Sequence, residues 1–251
     1  MVVESIEKLG FIIRFIFDAL FKTKNVLFSK NRLIRRTFTE QLFSIGVKSL
    51  PLVGIVSFFV GMVLMVQLVP EFKQFGAESL AGGAIGVAIC RELGPTLTGI
   101  IIAGRIGSSI AAEIGSMKVT EQVDALDVMA IDPITYLVSP RLLAAMIMLP
   151  LLTILSDFLG IIGAYIIGVH VMGVVEGSFW QTLGMFVTSG DIFIGLVKTV
   201  VFGAIIAYVA CYKGLFVKGG SEGIGRNTTA AVVLSIMLIL FSDFIITALF
   251  V

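Results

Sequence analysis

Five long apolar runs, separated by short polar segments, dominate the pattern of hydrophobic and polar positions along the chain. A helix that crosses the hydrocarbon core of a bilayer needs about 20 predominantly apolar residues, and each run reaches that length. The predicted membrane spans are residues 49–70, 82–116, 141–169, 192–212 and 228–251. The pattern therefore predicts an all-α integral membrane protein in which residues 1–251 form a single transmembrane domain.

The N-terminal stretch alternates apolar and charged residues too often to be a span. On a helical wheel its charged residues fall within an arc of about 120°, although Phe11 and Phe15 lie in the same arc. These charged residues are Glu4, Glu7, Lys8, Arg14, Asp18 and Lys22. We predict an interfacial amphipathic helix region over residues 1–36 that lies on the inner leaflet. The alternative is a sixth, tilted or re-entrant membrane element.

The distribution of Lys and Arg predicts the orientation. The first 36 residues contain eight of these cations, whereas residues 170–190 contain none. Cytoplasmic connections carry an excess of Lys and Arg, so we expect the N-terminus and the connections 117–140 and 213–227 on the cytoplasmic side. The C-terminus is then outside.

Composition narrows the function. The chain is 57% hydrophobic and 14% charged, compared with about 25% charged residues in soluble domains. Cys90 and Cys211 lie in apolar runs, which favours buried thiols over a disulfide. His170 is the only histidine and no P-loop motif is present, so we expect no metal site, no cofactor and no ATP binding in this chain. We also find no catalytic constellation.

Small residues form a flat face on the second span. Ala103, Gly107, Ala111 and Gly115 recur every four residues, so they share one face of a helix. Small residues let membrane helices approach closely, which predicts tight helix packing at this face. A face that slides during a conformational cycle is the alternative.

Charged residues occur inside four of the spans. They are Arg91, Glu92, Asp157, Lys198 and Asp243. With a rise of about 1.5 Å per residue, all five fall in the outer half of the membrane. Each costs at least about 2.5 kcal/mol at the bilayer centre without a partner or a wet cavity. Two interpretations remain open: a structural cluster of ion pairs such as Lys198 with Asp243, or a polar chamber that accepts a charged headgroup or an ion.

An acidic segment, EQVDALDVMAIDP, separates the second and third spans. Thr120 is suited to cap a helix that starts at Glu121, and Pro133 cannot continue it. We predict a three-turn cytoplasmic helix with Val123, Leu126 and Ala130 on one face. Glu121, Asp124 and Asp127 add its negative charge. The segment is either a solvated loop helix or a lever that transmits motion from a soluble partner.

Three motifs carry a resemblance to a known family. The longest is RELGPTLTGIIIAGRIGSSIAAEIGSMKVTEQVDALDVMAIDP, over residues 91–133. The other two are SPRLLAAMIMLPLLT at residues 139–153 and SDFIITAL at residues 242–249. Together they resemble the MlaE (YrbE) family of ABC-transporter permeases, and with the N-terminal helix and five spans the resemblance covers essentially the whole chain.

The resemblance implies a homodimeric permease of the bacterial inner membrane that lacks an ATPase domain. A separate ABC ATPase dimer, which binds ATP and Mg, and often a STAS-domain protein work with such permeases on the cytoplasmic side. A ring of MCE-domain protein lies on the outer side. The assembly moves phospholipids between the inner membrane and the outer envelope. Residues 121–131 are then the coupling helix that docks on the ATPase.

Two other classes compete with this interpretation. An ion-coupled secondary transporter would use Glu92, Asp157 and Asp243 as proton sites and often shows inverted repeats, which are not visible in the sequence. An intramembrane lipid enzyme would need catalytic pairs that the sequence lacks.

Overall fold

Five long helical segments make up most of the chain. The computed structural model describes residues 18–19, 22 and 32–250, and among these residues there is no strand. The membrane spans, called spans 1 to 5 in chain order, are Ile34–Gln74, Glu78–Val119, Ile134–His170, Ser189–Leu215 and Gly220–Phe250. Each contains the described part of one predicted apolar run, which confirms the all-α integral membrane fold. The predicted interfacial helix region, residues 1–36, lies almost entirely outside the described residues and stays a prediction.

Ten α-helices build the spans and their connections. They are α1 Arg32–Ile45, α2 Leu50–Gln74, α3 Ala81–Ala88, α4 Gly94–Ile102, α5 Ser108–Val119, α6 Gln122–Val128, α7 Ser139–His170, α8 Glu176–Phe186, α9 Ser189–Leu215 and α10 Gly220–Phe250, as counted over the described residues. Span 1 thus contains most of α1 and all of α2, whereas α6 and α8 connect spans.

Wide turns of π-helix interrupt spans 2 and 3. They are π1 Ile89–Leu93, π2 Ala103–Gly107 and π3 Ile134–Val138. A π turn inserts an extra residue, so the side chains that follow are rotated about the helix axis, and such turns are frequent at functional sites. The π1 turn contains both Arg91 and Glu92.

The described residues form two compact units. Unit 1 contains the described part of Met1–Ile45 together with Ala103–Ile147 and Gly203–Leu238. Unit 2 contains Gly46–Ile102, Met148–Phe202 and the described part of Ile239–Val251.

Close backbone contact between α2 and α7 organises unit 2. A methyl group added at Gly61 would overlap the carbonyl oxygen of Gly160, and one added at Gly163 would overlap that of Phe58. The hydroxyls of Ser57 and Ser156 share a hydrogen bond of 2.7 Å between the same helices. Small residues at these positions permit the close packing that holds helices together in lipid.

The predicted small-residue face lies inside unit 1. Ala103, Gly107, Ala111 and Gly115 are all buried. A methyl group at Gly107 would lie 3.4 Å from Ile206, and one at Gly115 would lie 3.1 Å from Val217. The π2 turn covers the first four-residue step of the row, so its spacing there is not that of an α-helix.

Candidate functional site

Lys198 on α9 lies at the centre of an ion-pair network in unit 2. Its side chain is 0% exposed. The ammonium donates hydrogen bonds to Glu92 Oε2 at 2.6 Å and to the carbonyl oxygen of Arg91 at 3.1 Å. It also lies 3.0 Å from Asp243 Oδ1, in an ion pair whose angle does not meet hydrogen-bond geometry. Two hydrogen-bond acceptors and a third oxygen in an ion pair therefore surround a fully buried cation.

Glu92 lies at the more accessible edge of the network. Its carboxylate side chain is 36% exposed, and its second oxygen accepts a hydrogen bond from Thr247 Oγ1 at 3.2 Å. Residues from π1, α9 and α10 thus meet at this carboxylate. The structure contains the Lys198–Asp243 pair that the depth argument suggested, and adds Glu92 to it.

Arg91 contacts the network only loosely. Its guanidinium lies 4.0 Å from Glu92 Oε1 and 3.9 Å from Asp191 Oδ1. Asp191 is held in place by Thr188, whose amide and hydroxyl donate to the carboxylate at 2.9 and 2.7 Å. Neither Arg91 contact is at hydrogen-bonding distance, so the guanidinium keeps donors for a further acceptor.

Asp157 is not part of this network. It is buried on α7, one of its oxygens has no hydrogen-bond partner, and no ion pair joins it to another described residue. A methyl group added at Gly94 would overlap this oxygen, so the carboxyl packs against the start of α4. Depth along a helix does not fix direction around it, so Asp157 shares the depth of the network without pairing with it, and its membership of the predicted lipid chamber stays a prediction.

Sequence reasoning missed Asp191 and Thr247. Asp191 immediately precedes the predicted fourth span, and its contacts with Thr188 lie at the start of α9. Its proximity to Arg91 arises from the packing of α9 against π1, where a methyl group at Gly195 would overlap the carbonyl oxygen of Cys90. That packing is not readable from either local sequence.

The predicted coupling helix is shorter than expected. Helix α6 covers Gln122–Val128, preceded by Glu121 in the left-handed region with φ of 60°. Ala130 also lies outside the helix, with φ of 56°. The predicted cap is wrong as well, because Thr120 Oγ1 donates to Ser116 O at 2.8 Å and thereby finishes α5.

The apolar face of α6 faces its own chain. Val123 and Leu126 are buried, whereas Val128 and Met129 are 88% and 59% exposed. Asp124 pairs with Lys118, and Asp127 is exposed. The most exposed apolar side chains of this segment are therefore Val128 and Met129 at its tip, not Val123 and Leu126 of the predicted face.

Polar contacts of Asp132 fix the end of the connection that leads into span 3. Asp132 accepts hydrogen bonds from Lys22 at 2.7 Å and from the amides of Ile134 and Thr135 at 3.3 and 3.2 Å. Burial alone would raise the pKa of Asp132, but the bonds from Lys22 and Thr135 outweigh it and hold the pKa below its usual range.

Arg141 and Glu113 join the two helices that flank this connection. The Arg141 guanidinium is almost completely buried and donates to Glu113 Oε1 at 2.8 Å and to Leu137 O at 2.7 Å. The pair links α5 to α7. Sequence reasoning treated Arg141 only as a span boundary and so missed this contact.

These features define a multi-pass α-helical membrane protein with a buried ion-pair network among its spans and an exposed apolar tip on a connecting segment. Comparison with known proteins gives the class a family. The family model described as Permease MlaE matches residues 38–249, and the chain belongs to this family.

Named relatives agree with that assignment. A probable ABC transporter permease protein of Rickettsia prowazekii is 44% identical, over 84% of this chain and 82% of its own length. The intermembrane phospholipid transport system permease protein MlaE of Haemophilus influenzae is 38% identical, over 99% and 98%. The chloroplastic protein TRIGALACTOSYLDIACYLGLYCEROL 1 of Arabidopsis thaliana is 38% identical, over 88% of this chain and 63% of its own length.

The resemblance drawn from the three motifs is thereby confirmed. The chain is a multi-pass inner-membrane permease of the ABC-transporter class, and a permease of this class works with partner components.

Proposed function

We propose that this chain is the permease subunit that moves phospholipids between the inner membrane and the outer envelope, driven by ATP hydrolysis in a separate subunit. The name of the Haemophilus influenzae relative, which aligns over nearly its full length, supports the substrate class. The observation that carries the proposal is a guanidinium with free donors beside a fully neutralised lysine, inside membrane-spanning helices.

The two cations of the network have different roles in this proposal. Lys198 is surrounded by acceptors and fully buried, so it positions Glu92 and offers nothing to a ligand. Arg91 is partly exposed and binds the phosphate of the headgroup through charge-assisted hydrogen bonds. Asp191 and Glu92 keep the guanidinium in place until the phosphate replaces these longer contacts.

The connection between spans 2 and 3 couples the permease to its ATPase. We infer that the ATPase contacts the segment 121–131 at Val128 and Met129, the exposed apolar side chains of its tip. The ion pairs Lys118–Asp124 and Arg141–Glu113 hold the segment relative to α5 and α7, so that movement of the tip is passed to the spans. ATP and Mg bind to the partner, and this chain has no catalytic role.

Span 5 supports the proposal of a homodimer. Only 11% of its most apolar window is buried, compared with 33 to 50% for the other four spans. Large apolar side chains such as Met237, Phe241 and Phe244 are exposed along α10, as expected for a helix that packs against a second copy of the chain. An MCE-domain ring outside and a STAS-domain protein inside complete the assembly that the family resemblance implies.

An ion-coupled secondary transporter is the competing proposal. Of the three carboxylates that it would use, Glu92 and Asp243 are both engaged with Lys198, which leaves Asp157, buried and without an ion pair to another described residue, as its proton site. Transport by the chain alone under a proton gradient, without ATP, would favour this competitor.

The test is the lipid carried by the purified complex. Arg91→Ala removes the free donors and leaves the Lys198 contacts intact, because Lys198 bonds only the main chain of Arg91. The expected result is normal assembly with phospholipid content reduced about tenfold, the effect of losing about 1.4 kcal/mol of binding free energy.

Arg226→Ala, on an exposed arginine of α10, is the matched control and should carry normal lipid. An Arg91→Ala complex that assembles normally and retains all its lipid would remove the headgroup site.

A further inference from the structure

Helix α8, which connects spans 3 and 4, has an exposed face that is unusual for a connection in water. Residues 170–190 contain no Lys or Arg, and Glu176 is their only acidic residue. The exposed side chains of this connection include five large apolar ones, Val171, Val175, Trp180, Met185 and Phe186. A patch of this kind marks a surface that contacts something other than solvent.

The opposite face of α8 is fixed against the start of span 2. A methyl group added at Gly82 would lie 2.7 Å from the carbonyl oxygen of Phe179, and one at Gly83 would lie 2.7 Å from that of Thr182. Thr182 Oγ1 also donates to Ser79 O at 3.1 Å. The main chain of α8 is therefore in close contact with α3, and this contact fixes which face of α8 is exposed.

The only carboxylate of the connection is already satisfied. Tyr165 donates its hydroxyl proton to Glu176 Oε1 at 2.7 Å. The Tyr165 ring lies 5.2 Å from the Trp180 ring and 5.6 Å from the Phe179 ring, between centroids. Tyr and Trp rings that carry one polar group are enriched where a membrane meets water, so this cluster has the chemistry of that layer.

We propose that α8 lies in the outer membrane–water interface, with Trp180 among the lipid headgroups and Met185 directed to the upper acyl chains. At 11 residues the helix is too short to cross the hydrocarbon core, which needs about 20. Both of its neighbours in the chain are membrane spans, so it is held at the membrane surface. Its side, outer rather than inner, rests on the orientation of the proposed function.

This placement sets the depth of the ion-pair network. Gly83 contacts α8, and Glu92 follows nine residues later along the same span, which is about 13 Å at 1.5 Å per residue. The hydrocarbon core is about 30 Å thick, so the network lies in the outer half of the core, below the headgroup layer. A lipid headgroup drawn down past α8 then reaches Arg91 without crossing the midplane.

The experiment uses Trp180 as a reporter, because it is the only tryptophan of the chain. The full chain is placed in phosphatidylcholine nanodiscs, in which both faces of the membrane are accessible. The fluorescence of Trp180 is measured with acrylamide as a quencher in the water, and with lipids brominated either near the headgroup or near the end of the acyl chain. The expected result is blue-shifted emission that shallow bromine quenches most strongly and acrylamide quenches weakly.

The control moves the reporter to the other connection. Trp180→Phe combined with Val128→Trp places the single tryptophan at a side chain that is 88% exposed, so acrylamide should quench it and bromine should not. Trp180→Phe alone gives the blank, also for the assembled complex.

Three results would overturn the proposal. Strong quenching of Trp180 by acrylamide would place α8 in water, and strongest quenching by deep bromine would place it across the core. Loss of bromine quenching on assembly with the partner chains would mean that a protein covers this face. None of these readouts depends on transport, so a permease that moves no phospholipid would still report the position of α8.

Discussion

Replacing Lys198 with Met tests whether the ion-pair network is integral to unit 2. The substitution keeps a long, flexible side chain and removes the charge. Glu92 and Asp243 would then face each other without the ammonium that lies 2.6 and 3.0 Å from them. Removing one partner of a buried ion pair costs about 3–5 kcal/mol. The upper part of this range applies, because the Lys198 side chain is 0% exposed and two carboxylates lose their partner.

Removing either carboxylate is expected to cost less. Glu92→Gln and Asp243→Asn each leave Lys198 with one acid, so the buried cation keeps a counter-charge in both variants. The Asp243 side chain is 18% exposed and that of Glu92 36%, so water compensates more at Glu92. The predicted order of damage is Lys198→Met, then Asp243→Asn, then Glu92→Gln.

A double variant tests whether Lys198 and Asp243 stabilise the protein as a pair or independently. In Lys198→Met with Asp243→Leu, Glu92 remains as the only charge of the triad and keeps its hydrogen bond from Thr247. Since replacing a buried pair by apolar residues is often nearly neutral, this variant should be more stable than Lys198→Met alone. It should not reach wild-type stability, because Glu92 still lacks its cation.

The measurement is the thermal midpoint and the monodisperse yield of the purified permease. A loss of about 4 kcal/mol is a large fraction of the roughly 5–15 kcal/mol that stabilises a folded protein, so yield should fall visibly. Lys218→Met, at an exposed position of the 4–5 connection, is the matched control. A Lys198→Met protein with the wild-type midpoint, or a double variant no better than the single one, would refute the reasoning.

Two further predictions concern unit 1. Val128→Asp should preserve the fold, since the side chain is 88% exposed, but should prevent the permease from recruiting the ATPase, because a buried charge in an apolar contact costs several kcal/mol. Leu126→Asp, at a buried position, should instead lower the yield. Normal ATPase recruitment by Val128→Asp would disprove the assigned tip. Gly107→Leu should reduce the yield, because the added side chain meets Ile206. Gly104→Leu, on the same π turn, should be tolerated, because no atom lies within 4 Å of a methyl group added there. Equal yields from the two variants would contradict the packing role.

The spans and the central ion pair were predictable for one shared reason. Hydrocarbon requires both an unbroken apolar run and a partner for every internal charge, and both requirements are visible in a single sequence. Lys198 and Asp243 were matched by depth alone. Asp157 lies at a similar predicted depth, but depth does not give direction around the helix, and its carboxyl packs against Gly94 without an ion pair to another described residue.

The connection between spans 2 and 3 shows a different limit. Thr120, followed by acidic residues, has the local signature of a helix start, yet its hydroxyl bonds to Ser116 and ends the preceding helix. From sequence alone, a threonine between two helices can hydrogen-bond to the end of the first helix or cap the start of the second. We infer that the tertiary packing of Val123 and Leu126, which are both buried, determines which helix the Thr120 hydroxyl bonds. The buried Arg141–Glu113 pair escaped notice because both residues lie at span edges, where charges are ordinary.

The π1 turn links the predictable part of the site to the unpredictable part. Arg91 and Glu92 are adjacent, so on a regular helix their side chains would leave the axis about 100° apart. In the structure both reach the same network: Glu92 bonds Lys198 directly, and Arg91 contributes its carbonyl oxygen to Lys198 and its guanidinium to Asp191. Contacts from α9 and α10, which composition and periodicity do not reveal, therefore distinguish the two neighbours: Glu92 bonds Lys198 through its side chain, whereas the guanidinium of Arg91 remains available to a ligand.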